Sequence, residues 1–301
     1  MDGIINVYKE RGFTSHDVVA KLRGILRQKK IGHTGTLDPE AQGVLPVCLG
    51  KATKVCELLT DKTKKYQAVL LLGMETDTQD TTGTVLNEHE VSCSEDEVIG
   101  CIQTFVGIQE QIPPMYSALK VNGKKLYELA RQGIEVERKA RTIEIEEIQI
   151  DAIHLPVVTI TVTCSKGTYI RTLCHDIGQK LGCGGCMKSL LRTQVGPFQI
   201  QDSVTLAEIE ACRDQGRLEE VINSIDSVFE HLPKVVLSDE ALRLVMNGNP
   251  LPNRMITAAD GYVKETCEKQ EMRLYDQEDH FLAIYGWNQQ KHMYAAVKMF
   301  L

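Results

Sequence analysis

Residues 32–43 contain one aspartate, Asp38, in a segment that could hold a catalytic carboxylate. Their sequence is GHTGTLDPEAQG, and glycines and a proline at this density exclude a regular helix or strand. Pro39 fixes its own φ and keeps Asp38 out of the α region, which limits the directions in which the carboxylate can point. A rigid loop that presents a lone acid is a common mount for a catalytic aspartate. The alternative is a turn whose aspartate bonds its own backbone, which is the more frequent case for an isolated Asp-Pro pair.

The segments around this loop predict the elements that must position it. Residues 44–49 form an apolar run, which predicts a buried strand that anchors the loop. Residues 67–73 are apolar nearly throughout and predict a central strand. Ser15 is predicted to cap a helix over about residues 16–28. The other predicted strands are at residues 4–8, 142–150, 157–164, 281–286 and 293–300. The other predicted helices are at about 53–59, after Ser94, from the segment 165–171 to about 181, after Thr205 and at 239–246.

Composition excludes several classes of protein. No apolar run reaches the roughly 18 to 20 residues that a membrane span needs. The first residues lack a basic segment followed by an apolar one, so we expect no signal peptide and a cytoplasmic protein. The ten cysteines are scattered through apolar stretches, which is typical of reduced, buried thiols. Cys183 and Cys186 form the one C-x-x-C pair, and without two further ligands at suitable spacing they do not predict a metal site.

The charge is distributed unevenly along the chain. The net charge of −7 resides in residues 202–301, with 17 acidic and 10 basic side chains, whereas residues 1–201 hold 24 of each. Within the neutral part, residues 1–72 carry +5 and residues 120–141 carry +4. Two basic stretches on a neutral body suit a phosphate backbone. Ordinary solvated helix faces explain the same composition equally well.

Blocks of sequence spread over residues 9–198 resemble the motifs of bacterial TruB-type tRNA pseudouridine-55 synthases, in the same order. The loop itself is similar to their catalytic loop, G-H-T-G-T-L-D-P-x-A-x-G-V-L-P. Glu10 stands where the family usually has proline, and Leu191 stands where it usually has arginine. The other matching blocks are K-x-x-G-x-T-S from Lys9, G-x-x-T-D-T-x-D from Gly73, Q-x-P-P-x-Y-S-A-L-K from Gln111, L-Y-x-x-A-R-x-G from Leu126, S-x-G-T-Y-I-R from Ser165 and L-x-R-T-x-x-G-x-F from Leu190.

This resemblance implies a fold and a domain division. The implied fold is α/β (α+β): a central, mostly antiparallel mixed sheet with flanking helices, the pseudouridine synthase fold, with the cleft across the sheet. Residues 1–232 are expected to form the catalytic domain, and residues 233–301 a small, β-rich, PUA-like C-terminal domain. Residues 111–141 are expected to form a basic arm that closes on RNA. The alternative for the arm is a surface hairpin with no ligand.

The resemblance also implies roles for individual residues. Asp38 is the expected nucleophile, Arg171 pairs with it and keeps it ionised, and Tyr66 stacks on a flipped base. The expected substrate- and RNA-binding residues are Tyr169 and Leu190 as pocket walls, His33 in the place vacated by the flipped nucleotide, Lys9 as a support or phosphate contact, and Asp77 in the acidic segment beside the site.

The implied activity is isomerisation of uridine to pseudouridine at position 55 in the TΨC loop of tRNA. The expected enzyme is a monomer that uses base flipping and an aspartate nucleophile. The reaction moves no electron, phosphate or acyl group, so no cofactor or metal is expected. The carboxylate can attack either uracil C6 or ribose C1′.

Two alternatives from other classes compete with this function. A tRNA-binding and folding chaperone, in which catalysis is incidental, shares the basic stretches and the arm. An unrelated covalent-aspartate enzyme, such as a phosphotransferase, would need a glycine-rich phosphate cradle or a metal-binding carboxylate pair near Asp38, and the sequence shows neither.

Overall fold

The computed structural model describes residues 1–121 and 123–301, with every side chain of these except those of residues 265 and 266. The strands are β1 Gly3–Lys9, β2 Ile31–His33, β3 Gln42–Leu49, β4 Lys64–Leu72, β5 Met74–Thr76, β6 Val85–Glu88, β7 Gly107–Gln111, β8 Lys120–Val121, β9 Lys124–Lys125, β10 Arg141–His154, β11 Val157–Cys164, β12 Gly185–Val195, β13 Phe198–Gln199, β14 Lys234–Val236, β15 Leu251–Pro252, β16 Met272–Tyr275, β17 Phe281–Asn288 and β18 Met293–Met299. The α-helices are α1 Ser15–Leu26, α2 Cys56–Thr60, α3 Glu95–Gln103, α4 Leu126–Ala130, α5 Ile170–Leu181, α6 Leu206–Asp214, α7 Asp239–Met246, α8 Asn253–Thr257 and α9 Lys264–Cys267.

A large mixed sheet forms the centre of the molecule. In the described part of the chain its strands follow the order β1-β3-β12-β4-β11-β10-β7, with β2 beside β3 and β13 beside β12. The pairing is antiparallel except between β3 and β12, which run parallel. The predicted mostly antiparallel mixed sheet with flanking helices is therefore confirmed.

Strand β3, which follows the Asp38 loop, is buried on both faces. Leu45, Val47 and Leu49 pack in the core beneath α1 and α6. Val44 and Cys48 point the other way, into a core shared with the segment after β3 and with the last strands of the chain. Burial on both faces explains why the run is continuously apolar rather than alternating. The loop is thereby fixed to the most buried part of the sheet.

Strand β4 is central, as predicted, because it pairs with β11 on one side and β12 on the other. Its side chains alternate, and Tyr66, Ala68, Leu70 and Leu72 face the core that α5 covers. The alternation of a strand puts Lys64 on this same buried face. Tyr66 and Lys64, at the start of β4, line a cavity beside this core.

The local predictions differ from the structure in two respects. Helix α1 is capped by Thr14, not Ser15: the Thr14 hydroxyl accepts from the Asp17 amide while the Asp17 carboxylate accepts from the Thr14 amide. The signal for this cap was present in the sequence as T-x-x-D, a capping box that starts at Thr14. The second difference concerns the loop, whose two ends do belong to strands, β2 and β3.

Residues after 233 form a second, five-stranded sheet in the order β14-β16-β17-β18-β15. It has a core of its own that includes Leu274, Tyr285 and Tyr294. Ile284 and Phe300 face the other way, into the core shared with β3. The expected β-rich C-terminal part is present. None of the helices in the described residues is long and apolar enough to cross a membrane.

Candidate active site

A cavity of about 310 Å³ opens beside the central sheet. Its volume is near the lower end of the range for small-molecule pockets, about 300 to 1,000 Å³. Five regions of the chain meet there: the Asp38 loop, the start of β4 with Thr60, the arm, the turn that leads into α5, and β12. The lining residues are Gly35, Thr36, Leu37, Asp38, Thr60, Lys64, Tyr66, 117–119, 165–171, Leu190 and Arg192.

The loop holds Asp38 from both sides. Leu37 before it is 3% exposed, and its amide donates to the Ser15 hydroxyl at 2.8 Å. After it, the Pro39 carbonyl accepts from the Gly12 amide at 2.9 Å and from Lys9 Nζ at 3.1 Å. The carboxylate between these anchors is 39% exposed and faces the cavity. A carboxylate that is fixed but accessible is suited to nucleophilic attack.

Arg171 is buried and joins three regions of the chain. Its Nε donates to Asp38 Oδ2 at 2.9 Å and its Nη2 to Asp38 Oδ1 at 3.3 Å, a fork that grips both carboxylate oxygens. Nη1 donates to the Thr78 carbonyl at 2.8 Å and Nη2 to the Tyr116 carbonyl at 2.7 Å. The side chain is 5% exposed. Such a charge-assisted bidentate pair fixes the orientation of the carboxylate.

Tyr66 and Tyr169 lie in the wall of the same cavity as Asp38. Burial raises the pKa of Tyr66, and the charge of the neighbouring Arg192 acts in the opposite direction. Burial also raises the pKa of Tyr169, so both hydroxyls are protonated near neutral pH. Tyr169 is held through its backbone by Gln111, whose side chain accepts from the Tyr169 amide at 2.8 Å and donates to its carbonyl at 3.0 Å. Leu190 completes the apolar wall.

The structure places three of the other predicted site residues outside the cavity lining. Lys9 is 0% exposed, and its Nζ donates to the carbonyls of Glu10, Phe13 and Pro39, so it supports the loop from below. His33 lies at the base of the loop, where its Nδ1 accepts from the Gly35 amide. Burial lowers the pKa of His33 and favours the neutral ring.

Asp77 also lies outside the lining, and its neighbour Asp80 is the carboxylate near the site. Asp77 closes the β5–β6 hairpin by accepting from the Thr84 amide at 2.7 Å. Asp80 Oδ2 lies 3.8 Å from Arg171 Nε, within ion-pair distance. Both aspartates belong to the motif G-x-x-T-D-T-x-D, and the sequence alone does not indicate which of them lies near Arg171.

Sequence reasoning also missed Arg192. It is 1% exposed, lines the back of the cavity and donates from Nε to the Val44 carbonyl at 2.7 Å. The departure next to it has little local effect, because Leu191 pairs with Gln42 and Gln67 through the backbone ladder. The departure at Glu10 is exposed and leaves the contacts of Lys9 intact.

Two family models match consecutive parts of the chain. The first, described as the N-terminal domain of the TruB family pseudouridylate synthases, covers residues 23–170, and the second, the tRNA pseudouridylate synthase B C-terminal domain, covers residues 171–230. A solved Cbf5-Nop10-Gar1 complex contains a similar chain, with a TM-score of 0.74 at 29% identity over 99% of this chain and 85% of that one. An H/ACA RNP bound to a substrate RNA containing 2′-deoxyuridine gives 0.72 at 28% identity, with the same coverage. The fold and the site together define a pseudouridylate synthase.

Curated relatives extend over the whole chain. The chain is 53% identical to the tRNA pseudouridine synthase B of Lachnoclostridium phytofermentans and 44% identical to that of Clostridium kluyveri, with 100% of both chains covered in each case. It is 47% identical to that of Bacillus pumilus over 84% of each chain. The chain belongs to the TruB family.

Proposed function

We propose that this protein isomerises uridine to pseudouridine at position 55, in the TΨC loop of tRNA, with Asp38 as the nucleophile. The observation that carries the proposal is the Asp38 carboxylate itself. It is fixed by its loop, gripped by the buried Arg171, and open to a cavity walled by Tyr66. The tRNA pseudouridine synthase B relatives agree with this substrate.

The proposed reaction breaks the bond between ribose C1′ and uracil N1 and forms a bond between C1′ and C5. The proton on C5 leaves, and N1 gains one, so atoms and charge balance with no added reagent. Asp38 attacks the nucleotide and is released unchanged at the end. Arg171 keeps the Asp38 carboxylate aimed into the cavity throughout.

The other residues of the cavity hold the substrate. A uridine inside a folded loop is stacked, so it must be flipped out before a carboxylate can reach its atoms. Tyr66 stacks on the flipped base, an interaction worth about 1 to 3 kcal/mol, and its hydroxyl stands near the proton that leaves C5. Tyr169 and Leu190 form the remaining walls. We assign His33 to the space that the flipped nucleotide leaves, and Lys9 and Asp77 to supporting the surfaces around it.

The arm and the C-terminal sheet complete the proposal. Residues 111–141 act as a basic arm over the bound RNA, and the Tyr116 carbonyl on Arg171 links this arm to the catalytic pair. We divide the chain into a catalytic domain, residues 1–232, and a PUA-like domain, residues 233–301. We further propose that the enzyme works in the cytoplasm as a monomer.

The first test is tritium release from tRNA labelled at uridine C5, with the wild-type protein and Asp38→Asn side by side. We expect release from wild type only, with both proteins binding the tRNA. If wild type binds tRNA and releases no tritium, the enzyme proposal is wrong and the chaperone alternative is favoured. A loss of release from tRNA with position 55 changed to cytidine identifies the target.

A further inference from the structure

Arg192 is a buried cation at the back of the cavity, outside the catalytic pair. It belongs to β12, where its backbone lies opposite Tyr66 of β4 on one side and opposite Gly43 of β3 on the other. These two strands carry Tyr66 and the end of the Asp38 loop. Arg192 therefore occupies the sheet position that connects the two parts of the site.

Its side chain grips the loop as well. Nε donates to the Val44 carbonyl at 2.7 Å, and Nη2 donates to the Gly35 carbonyl at 3.4 Å. Val44 follows the loop and Gly35 lies within it, so one guanidinium contacts the chain both before and after Asp38. Gly43 permits the approach, since a Cβ there would stand 2.2 Å from the Arg192 carbonyl oxygen.

Arg192 and Tyr66 are also directly paired on neighbouring strands, and both line the cavity. Burial raises the pKa of the Tyr66 phenol, while the charge of Arg192 lowers it. The other titratable groups that face Tyr66 are Cys164 on β11 and Asp38 on the loop. Lys64, on the same face of β4, has its pKa lowered to about 8 by burial and by the charge of Arg192.

Burial of this cation is expensive. Among the described residues no carboxylate lies within ion-pair distance of Arg192, which is 1% exposed. An unpaired buried charge costs several kcal/mol, and an apolar side chain of similar volume usually packs as well or better. Packing alone therefore does not account for an arginine at this position.

Building on the proposed function, we propose that Arg192 is a positioning residue for the reaction. It holds Tyr66 and the Asp38 loop in a fixed position relative to each other at the wall of the cavity. It takes no part in the bonds that change. Its effect passes through its paired neighbour Tyr66 and through the Gly35 and Val44 carbonyls. Loss of Arg192 should consequently slow the chemical step and leave tRNA affinity unchanged.

The test uses Arg192→Met and Arg192→Lys, with Arg273→Met as a matched control. Arg273 is a partly buried arginine, 15% exposed, that donates to a backbone carbonyl, Leu232, and lies beside a tyrosine hydroxyl, that of Tyr275, away from the cavity. The measurements are the single-turnover rate of tritium release at saturating enzyme, the Kd for unmodified tRNA, and the melting temperature. The rate and the Kd separate positioning from a general loss of structure.

We expect Arg192→Met to be slower by about 100-fold, the cost of a displaced catalytic geometry, with Kd within about 3-fold of wild type. Arg192→Lys keeps the positive charge but loses the planar guanidinium that donates to two carbonyls, so we expect about a 10-fold loss of rate. Arg273→Met should lower the melting temperature and keep the wild-type rate.

Several outcomes overturn the proposal. A folded Arg192→Lys or Arg192→Met with a rate within about 3-fold of wild type does so, as does a weakening of tRNA binding that matches the loss of rate. If Arg192→Met does not fold, Arg192→Lys decides alone. If wild type itself releases no tritium, the proposed function has failed first and this inference falls with it.

Discussion

Two clusters in this molecule combine an arginine, an aspartate and a tyrosine; Arg171 in the first is buried and Arg273 in the second is partly buried. In the cavity, Arg171 grips Asp38 and Tyr66 lies nearby. In the C-terminal part, Tyr275 donates to Asp226 at 2.5 Å and Arg273 lies 3.9 Å from the same carboxylate. We call the second cluster the latch, since it ties β16 to the segment before the C-terminal sheet.

The two clusters differ in how their polar groups are satisfied. In the latch, the Tyr275 hydroxyl points at the aspartate; burial and that hydrogen bond both raise the pKa of Tyr275. Donor and acceptor satisfy each other, and Tyr275 is 3% exposed. In the cavity, the arginine is satisfied but Asp38 keeps an accessible side, 39% exposed. The same residue types thus stabilise the structure when they are hydrogen-bonded to one another. They can support chemistry when the carboxylate stays accessible.

The carboxylates provide the sharpest test of this difference. Asp38→Asn should lower the rate of tritium release on the order of 10⁴-fold or more, as removal of a nucleophile does, with little change in melting temperature. Asp226→Asn should keep the rate and destabilise the fold by about 1 to 3 kcal/mol, because the Tyr275 hydroxyl and Arg273 lose an ionised partner. Rate and urea unfolding are measured on both variants. A slow Asp226→Asn, or a fast Asp38→Asn, contradicts the comparison.

Substitution of the tyrosine should likewise reduce turnover in the cavity cluster and stability in the latch. Tyr66→Leu should lose turnover by about 10³-fold, because both the stacking surface and the hydroxyl near C5 are removed. Binding of tRNA should be largely kept, as measured by filter retention. Tyr275→Leu should lower the unfolding free energy by about 1 to 3 kcal/mol and leave turnover unchanged. Equal losses of binding and turnover in Tyr66→Leu would show that this tyrosine docks the RNA.

The groups that hold the open carboxylate in place should have intermediate effects. Ser15→Ala removes the acceptor of the buried Leu37 amide, which should cost about 1 to 3 kcal/mol of stability and slow turnover about 10-fold through a looser loop. Thr14→Ala is the matched control: it removes the helix cap one residue earlier, at about 1 kcal/mol and with no loss of rate. Equal rates for the two variants would show that the Leu37 anchor is dispensable.

The Thr14 and Ser15 hydroxyls also show how much of the structure could be predicted from the sequence. The Asp38 loop and the central strand β4 were predictable, because each is encoded in one short run of residues. The cap at Thr14 was encoded locally too, in the spacing of Thr14 and Asp17, and the assignment to Ser15 was wrong. The observed role of Ser15 is to accept a hydrogen bond from the amide of Leu37, which lies 22 residues away in the sequence.

Contacts between distant strands account for the site features that were missed. Arg192 lies in a strand of mixed polar and apolar residues, and its backbone is closely approached by Gly43 on the parallel strand. Asp80 and Asp77 differ in role because of the hairpin geometry, with Asp77 bonded to Thr84 and Asp80 turned toward Arg171. Such facts come from tertiary packing, which no local pattern of residues specifies.

The smallest expected effect concerns the cation beneath the loop. Burial lowers the pKa of Lys9 to about 8, below the value of about 10.4 in an unfolded chain. Between these values the unfolded chain binds more protons than the folded one, so the contribution of Lys9 to stability rises with pH from about 8 to about 10.4, by at most about 3 kcal/mol. The wild-type protein should therefore gain stability relative to Lys9→Met as the pH increases from 7.5 to 9.5, in urea unfolding. Lys9→Arg carries a guanidinium that does not titrate there, so its difference from Lys9→Met should stay flat. A constant difference between wild type and Lys9→Met would show that the ammonium on the Pro39 carbonyl stays protonated, so that the loop rests on a permanent charge.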